Sequence, residues 1–535
     1  IEGVYEGLRA GQLPVRLNPT AVNGYGYIDP VMYPPLFLYI PAFLRLCGVS
    51  MLTAYQLFIF IINLATAVIA YRCTLRLCKD RSTALIMSAA YTLALYRLIN
   101  IFTRAALGEL LAMAFLPLVI LGMYAVFFGD EREYKWLVIG MTGVLNSNIP
   151  MLEITAVLCL IFALASVRQL RQGARLSALA GSVSFVTLLN AWVIYPLATV
   201  AASGLRVIGS TPNPANDAVY PAELFTTFDT ATGLSGSLFS AYTGMPLSVG
   251  GILGVGALLW LFGRYILKKP FPSESERLEK IAAGSCALAA AALFFASTLF
   301  PWTAVGKIPY LGDFLGVVQF PWRYLGAATP LLCIAFALGL HRLAGDRFNR
   351  KIVVFAGVAA VMLAASPYID HYMQDENQWA LLSNKFASIN INYLGGEEYY
   401  RQGTNREALS TRPPTVTSSS EQLKVFHYAR RYTSLSFDYS ASEPPAGAYL
   451  EAPLYYYDGY GAALDGKTKL SVYAGMNGVL RILLPDGVSE GHIDVSFHVP
   501  AAYRAAELIS LLTVLGALGG YIAGKRRKKI AIRQK

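Results

Sequence analysis

Burying an unpaired charge is costly, so ionisable residues at the edges of apolar sequence are the first places to look for chemistry. Arg104 and Glu109 stand in LYRLINIFTRAALGE at 95–109, five positions apart. Neighbours on one helix face are three or four apart, so this pair can meet only if a turn intervenes. Arg104 is then a candidate for an anionic headgroup or phosphate, with Glu109 opening the next apolar stretch; the plainer alternative is a helix cap beside a snorkelling arginine. Asp29, between Gly26-Tyr27 and Pro30, is either a carboxylate held for base or metal work or a turn-forming aspartate. Gln319, Trp322 and Arg323 immediately precede an apolar run, and Arg323 is a second candidate for a phosphate contact. Glu153 follows the Pro150 turn and enters apolar sequence, where it faces either the same cavity or the surface of a hairpin. Asp217 and Glu223 are weaker candidates. Tyr455, Tyr456 and Tyr457, in YLEAPLYYYDGY at 449–460, form either a carbohydrate-stacking surface or aromatic packing at a membrane interface.

Several kinds of chemistry are excluded. The chain has no Walker loop and no dinucleotide glycine fingerprint, so no nucleotide cofactor is expected. Its five histidines, at 341, 371, 427, 492 and 498, lack zinc-motif spacing. The six cysteines all lie in or beside hydrophobic segments, and no disulfide framework is implied.

The elements that must position these residues follow from composition. The 535 residues are 55% hydrophobic and 14% charged, with a mean hydropathy of +0.46, whereas soluble domains are nearer 25% charged. Apolar stretches approaching the roughly 20 residues needed to cross a bilayer recur at 55–75, 82–98, 110–127, 134–148, 150–165, 177–197, 246–266, 281–299, 324–341, 352–366 and 505–523. The expectation is therefore a polytopic α-helical membrane protein of about eleven spans. The net charge of +11 falls between these stretches, in clusters such as Arg72, Arg76, Lys79 and Arg81, and Lys525 to Lys529. All clusters share one side if the spans alternate, which is the positive-inside pattern and not a nucleic-acid groove. Residues 1–54 and 367–503 are then outside and the tail is cytoplasmic. An odd count also leads one to expect a further span upstream of Ile1.

The first outward segment contains GYGYIDPVMYPPLFLYIPAF, whose glycines and prolines imply a tight loop leading into short amphipathic helices. The stretch 367–503 alternates apolar and polar residues at 431–439, 469–475, 479–485 and 492–500, with Asp465-Gly466 and Asp486-Gly487 as turn signals. The expected organisation is a transmembrane domain at 1–366, an extracytoplasmic β-sandwich-like domain at 367–503, and a final span with a basic tail at 504–535.

The segments EGLRAGQLPVRLNP at 6–19, GYGYIDPVMYPPL at 24–36, FTRAALGELLAMAFLPL at 102–118, VVQFPWRYL at 317–325 and APLYYYDGYGAALDGK at 452–467 resemble bacterial YfhO-like multispan proteins within the GT-C superfamily of membrane glycosyltransferases. The resemblance covers most of the chain. It implies transfer of a sugar from a polyprenyl-phosphate donor to a glycan, lipid or protein acceptor outside the bacterial cytoplasmic membrane. It also implies a carboxylate of the first outward loop acting as base or holding a divalent cation, Mg or Mn, with basic residues receiving the lipid phosphate. Asp29 belongs to that loop, Glu109 is the other catalytic candidate, and Arg104, Gln319, Arg323 and Glu153 are the candidate substrate or phosphate contacts. A lipid or polysaccharide transporter and a non-catalytic assembly factor are the alternatives.

Overall fold

The computed structural model describes residues 1–205, 214–226, 245–271, 275–344, 347–374, 398–442 and 446–533. Residues 227–244 and 375–397, within segments expected to face outward, lie outside the described residues, as do the side chains of Arg526 to Lys529. The chain forms two compact units. One combines Ile1–Tyr55, Thr187–Ile208 and Phe386–Lys535, and the other combines Gln56–Val186 and Gly209–Lys385.

Among the described residues, six helices are long and apolar enough to cross a membrane: Met51–Cys78, Leu107–Phe127, Glu276–Ala296, Pro321–Ala344, Asn349–Gln374 and Ala501–Lys525. Two bent pairs, Arg81–Thr92 with Leu95–Ile101 and Gly173–Leu189 with Ala191–Ala201, raise the number to eight if each is one span. The chain is thus a multi-pass membrane protein. The bends of 44° and 72° interrupt the apolar stretches at 82–98 and 177–197, which hydropathy reads as continuous. The stretches at 134–148, 150–165 and 246–266 form shorter helices at Lys135–Leu145, Ile149–Ala165 and Gly251–Leu261.

Within the second unit two helices are central. The best apolar window of Leu107–Phe127 is 83% buried and that of Pro321–Ala344 is 94% buried, against 22% for Met51–Cys78 and Asn349–Gln374. A helix that is apolar all round can be buried all round. Close approach is built in: a Cβ at Gly122 would stand 2.2 Å from the Leu137 nitrogen, so glycine lets Lys135–Leu145 lie directly on Leu107–Phe127.

The first unit contains the β region, which among the described residues has nine strands in two sheets. The strands are β1 (Thr417–Ser418), β2 (Leu423–Arg431), β3 (Ser434–Ala441), β4 (Tyr449–Tyr455), β5 (Tyr460–Leu464), β6 (Thr468–Leu470), β7 (Val472–Ala474), β8 (Val479–Leu483) and β9 (Glu490–Phe497). The sheets have the orders β1-β4-β8-β7 and β2-β3-β9-β5-β6, and every pairing is antiparallel. Leu435, Phe437, Tyr439 and Ala441 alternate inward along β3, and Phe437 faces Ile493 of β9 in register. A one-residue slip would turn that set to the opposite face. Asp465 and Gly466, both at positive φ, make the tight turn between β5 and β6.

The tyrosines of the N-terminal loop share this core: Tyr25 and Tyr27 are buried with Leu450, Leu454 and Ile482. Gly24 and Gly26 stand at φ +81° and +90°, a backbone that turns the loop into the core. Tyr455 donates its backbone N–H to the Tyr25 carbonyl at 2.7 Å, and Arg430 donates to the Gly24 carbonyl. The first 55 residues thus fold with the β region. Tyr455 and Tyr457, 0% and 3% exposed, are core residues and not parts of a surface, because their rings pack against each other and Tyr400 packs on Tyr455. Tyr456 alone of the three reaches the surface, half-buried beside the Arg401 guanidinium.

Arg16 ties the last helix to this unit. Its guanidinium is 2.8 Å from Glu507 and 2.9 Å from the Trp192 carbonyl, and it lies near the faces of the Trp192 and Tyr503 rings. Removing one member of a buried pair strands the other. Glu507→Ala is expected to destabilise this unit by about 3 kcal/mol, seen as a lower thermal midpoint in tryptophan fluorescence, with part of the loss recovered in the Arg16→Met, Glu507→Leu double variant.

Candidate functional site

The Leu95–Ile101 helix ends one turn before Leu107–Phe127 begins, and the connection explains how Arg104 reaches Glu109. Arg104 N–H donates to the Ile99 carbonyl, Ala105 takes φ +46°, and Ala106 N–H returns to the Asn100 carbonyl. This left-handed step is the turn that a spacing of five requires. Glu109 then lies in the first turn of its helix, where the exposed N–H ends favour a carboxylate.

Glu109 is 2% exposed, and both of its oxygens are engaged. Oε2 accepts from Arg104 Nη1 at 2.8 Å and stands 3.7 Å from Arg323 Nε. Oε1 accepts from the Tyr96 hydroxyl at 2.6 Å and from Asn100 Nδ2 at 3.3 Å. Arg104 Nη1 also donates to Asn100 Oδ1 at 2.7 Å and to the Tyr96 hydroxyl at 3.2 Å. Burial alone would depress Arg104, but Glu109 and Tyr96 outweigh it and hold the guanidinium above its ordinary value. Tyr96 and Asn100 were not singled out from sequence, although the step of four from 96 to 100 to 104 was a signal that the three side chains share a face.

Arg323 comes from the other direction, through the Pro321–Arg323 turn that opens Tyr324–Ala344. Its Nη1 donates to Gln319 Oε1 at 2.8 Å and to the Val318 carbonyl at 2.9 Å. Gln319 sits at φ +63°, a strained backbone that places its side chain on the arginine. Phe320 and Trp322 stack 4.5 Å apart, with Arg323 over Phe320 and Arg104 near Trp322, so aromatic faces wall the two cations. Gly326, one turn on, faces the cluster: a Cβ there would be in ordinary contact with Tyr96, at 3.4 Å, and Glu109 Oε1, at 3.6 Å.

Glu153 belongs to the same unit, on Ile149–Ala165, whose start is capped by Asn148 accepting from Met151 N–H at 3.0 Å. It is 7% exposed, within the electrostatic reach of Arg323, and neither oxygen has a hydrogen-bond partner among the described residues. The structure therefore brings Arg104, Glu109, Gln319 and Arg323 together and sets a second buried carboxylate in the field of Arg323. Arg97, also fully buried, donates to Asn63 Oδ1 at 2.7 Å.

Asp29 is in the other unit, at the start of the one-turn helix Asp29–Met32. Burial pushes its carboxyl up to about 7, against an opposing hydrogen bond from Asn18, and Oδ1 has no partner among the described residues. Among the described residues no three His, Cys, Asp or Glu side chains are grouped to hold a metal ion. Asp29 with Asn18 beside it offers one carboxylate and one amide, and Mg binds through one or two carboxylates with water completing its six oxygens. Asp217 and Glu223 are buried in the second unit.

Compared with family models, curated proteins and solved structures, the chain matches none.

Two outcomes follow from these placements. Glu109→Ala is expected to destabilise the fold by about 3 kcal/mol or more, seen as a sharply lower thermal midpoint, because two half-buried guanidinium groups lose their shared anion; Glu109→Gln, which keeps an acceptor oxygen, should lose less. Asp29 has the opposite sign to a salt-bridged carboxylate. Its folded value lies above its unfolded one, so the folded state binds the proton more tightly and stability falls as pH rises from about 4 to 7. Asp29→Asn should therefore raise the thermal midpoint at pH 8 and change it little at pH 4; an equal effect at both would rule out ionisation as the cause.

Proposed function

We propose that the chain is a GT-C-type membrane glycosyltransferase that moves a sugar from a polyprenyl-phosphate donor to a glycan, lipid or protein acceptor outside the bacterial cytoplasmic membrane. The observation that carries this reading is the half-buried pair of arginines around one buried carboxylate, with a second carboxylate, in the field of Arg323, that has no hydrogen-bond partner among the described residues. A site for this reaction needs positive charge for a phosphate and a base for a hydroxyl. In this reading the shorter apolar helices complete the set of spans, with residues 1–54 and 367–503 outside and the basic tail cytoplasmic.

The roles divide by how each group is already bonded. Arg104 and Arg323 receive the donor phosphate, since they are the two positive charges gathered at Glu109. Glu109, with both oxygens engaged, is a positioning residue that holds the two cations at one point. Gln319 orients Arg323. Glu153, whose oxygens are not committed, takes the proton from the acceptor hydroxyl. The acceptor oxygen attacks the anomeric carbon, the carbon–oxygen bond to phosphate breaks, and the polyprenyl phosphate leaves with the electron pair. The low-polarity surroundings strengthen each electrostatic contact relative to water.

The test is turnover of a panel of polyprenyl-phosphate sugars by the full-length protein in membranes. Glu153→Gln is expected to lower kcat by a factor of at least about 100 with little change in KM, whereas Arg323→Gln should mainly raise KM. Binding of lipid-linked sugars without turnover would favour transport, and neither binding nor turnover would favour an assembly role.

A further inference from the structure

A groove of about 490 Å³ runs between the helices Leu107–Phe127, Ile149–Ala165, Ser275–Ala296 and Tyr324–Ala344, all in the second unit. That is the size of a small-molecule site. Its wall is almost wholly hydrocarbon, with Leu158 and Phe162 on one side and Ala283, Gly284 and Ala287 on another. Small residues make the space: a Cβ built on Gly284 would meet nothing within 4 Å. The Thr155 hydroxyl at the wall already donates to the Met151 carbonyl at 2.6 Å, so it offers a polar ligand no free proton.

The groove has a direction. One end lies at Leu116 and Ala327 and the other at Phe128, Ser166 and Lys280. From Leu116 to Phe128 along one helix is about 18 Å at ~1.5 Å per residue. The hydrocarbon of a single leaflet is about 15 Å deep, half of the ~30 Å core. A transmembrane helix would need the full core and a channel about 10 Å wide. The end at Lys280 is polar and basic. Arg277 lies over the Tyr124 ring and donates to the Arg76 and Leu77 carbonyls, while Lys280, 60% exposed at its side chain, pairs with the exposed Glu276.

The geometry points to a phospholipid site: one acyl chain lies along the groove, and its phosphate sits at Lys280 beside Arg277. An acyl chain matches the length and the dry lining, and the cations match the phosphate. The site takes its lipid from the leaflet on the basic side of the membrane. It stands apart from the arginine cluster, which lies beyond the opposite end of the groove, and it holds whether or not the transferase reading does.

The experiment uses the full chain in phosphatidylcholine vesicles carrying a phosphatidylglycerol with a photoactivatable diazirine on its acyl chain, with labelled peptides mapped by mass spectrometry. Labelling is expected to concentrate on peptides containing Leu158 to Phe162 and Ala283 to Leu288. Gly284→Trp fills the groove and should cut that labelling about tenfold, whereas Gly181→Trp, at a glycine that also faces open space, should leave it unchanged. Ala287→Phe provides the same blockade if Gly284→Trp does not fold. Lys280→Glu should weaken labelling by the phosphatidylglycerol probe more than by its phosphatidylcholine counterpart. The proposal is overturned by labelling spread evenly over the lipid-facing helices and indifferent to the groove variants. It is equally overturned by displacement of the probe by polyprenyl phosphate, or by cross-links at Gly284→Cys that join two copies of this chain.

Discussion

The second unit is organised around a single buried carboxylate. Glu109 takes its place between Arg104 and Arg323 and accepts from Tyr96 and Asn100 as well, so both of its oxygens are committed. In a low-dielectric interior a charge is retained only when it is paired and hydrogen-bonded. Here three elements meet to satisfy that rule: the turn after Leu95–Ile101, the first turn of Leu107–Phe127, and the Pro321–Arg323 turn. The two that flank Glu109, after Leu95–Ile101 and at Pro321–Arg323, are short turns beside an apolar helix. Such backbone is tolerated at membrane depth only where protein or a cavity satisfies it. The strained residues Ala105 and Gln319 sit at these joints, where the pairing over-determines their conformation.

A different constraint rules the first unit. Its β strands cannot bury both sheet faces on their own, and the tyrosine-rich loop at 24–28 supplies part of the core. Because the hydroxyls of Tyr25 and Tyr27 are fixed by bonds to the Pro413 and Glu398 carbonyls, Asp29, two residues after Tyr27, is carried into a buried position that raises its carboxyl. The loop and the strands are some four hundred residues apart in sequence, and the sequence shows no sign that they meet. Arg16 repeats the theme with Glu507, binding a segment near the start of the chain to its last long helix.

The long spans were legible because length and hydropathy suffice to mark them. The breaks were not. Leu93-Ala94 and Asn190 interrupt stretches whose composition is uniformly apolar, and a bend of 44° or 72° leaves no mark on an average. Strands β3, β8 and β9 were legible from alternation, since each has one inward face. Strand β4 was not: all but its first residue are buried, so it shows no alternation and reads as an aromatic surface patch. For the same reason Tyr455 and Tyr457 passed for a carbohydrate platform when their rings are core. The pair at 104 and 109 was legible only as a conditional, that a turn must intervene, and Ala105 supplies it.

The sequence alone determined that this chain crosses a membrane several times, carries a β-rich region before its last apolar helix, and concentrates its few unusual charges at the edges of apolar runs. Those are properties of composition and period, which depend on each residue and its near neighbours. Only the tertiary structure decided that Arg104, Glu109 and Arg323 meet while Glu153 has no hydrogen-bond partner among the described residues, that Asp29 belongs to the unit of the β strands, and that small residues on one helix open an apolar groove. Those depend on contacts between residues far apart in the chain, where desolvation makes a charge find a partner and packing decides which space a side chain leaves unfilled.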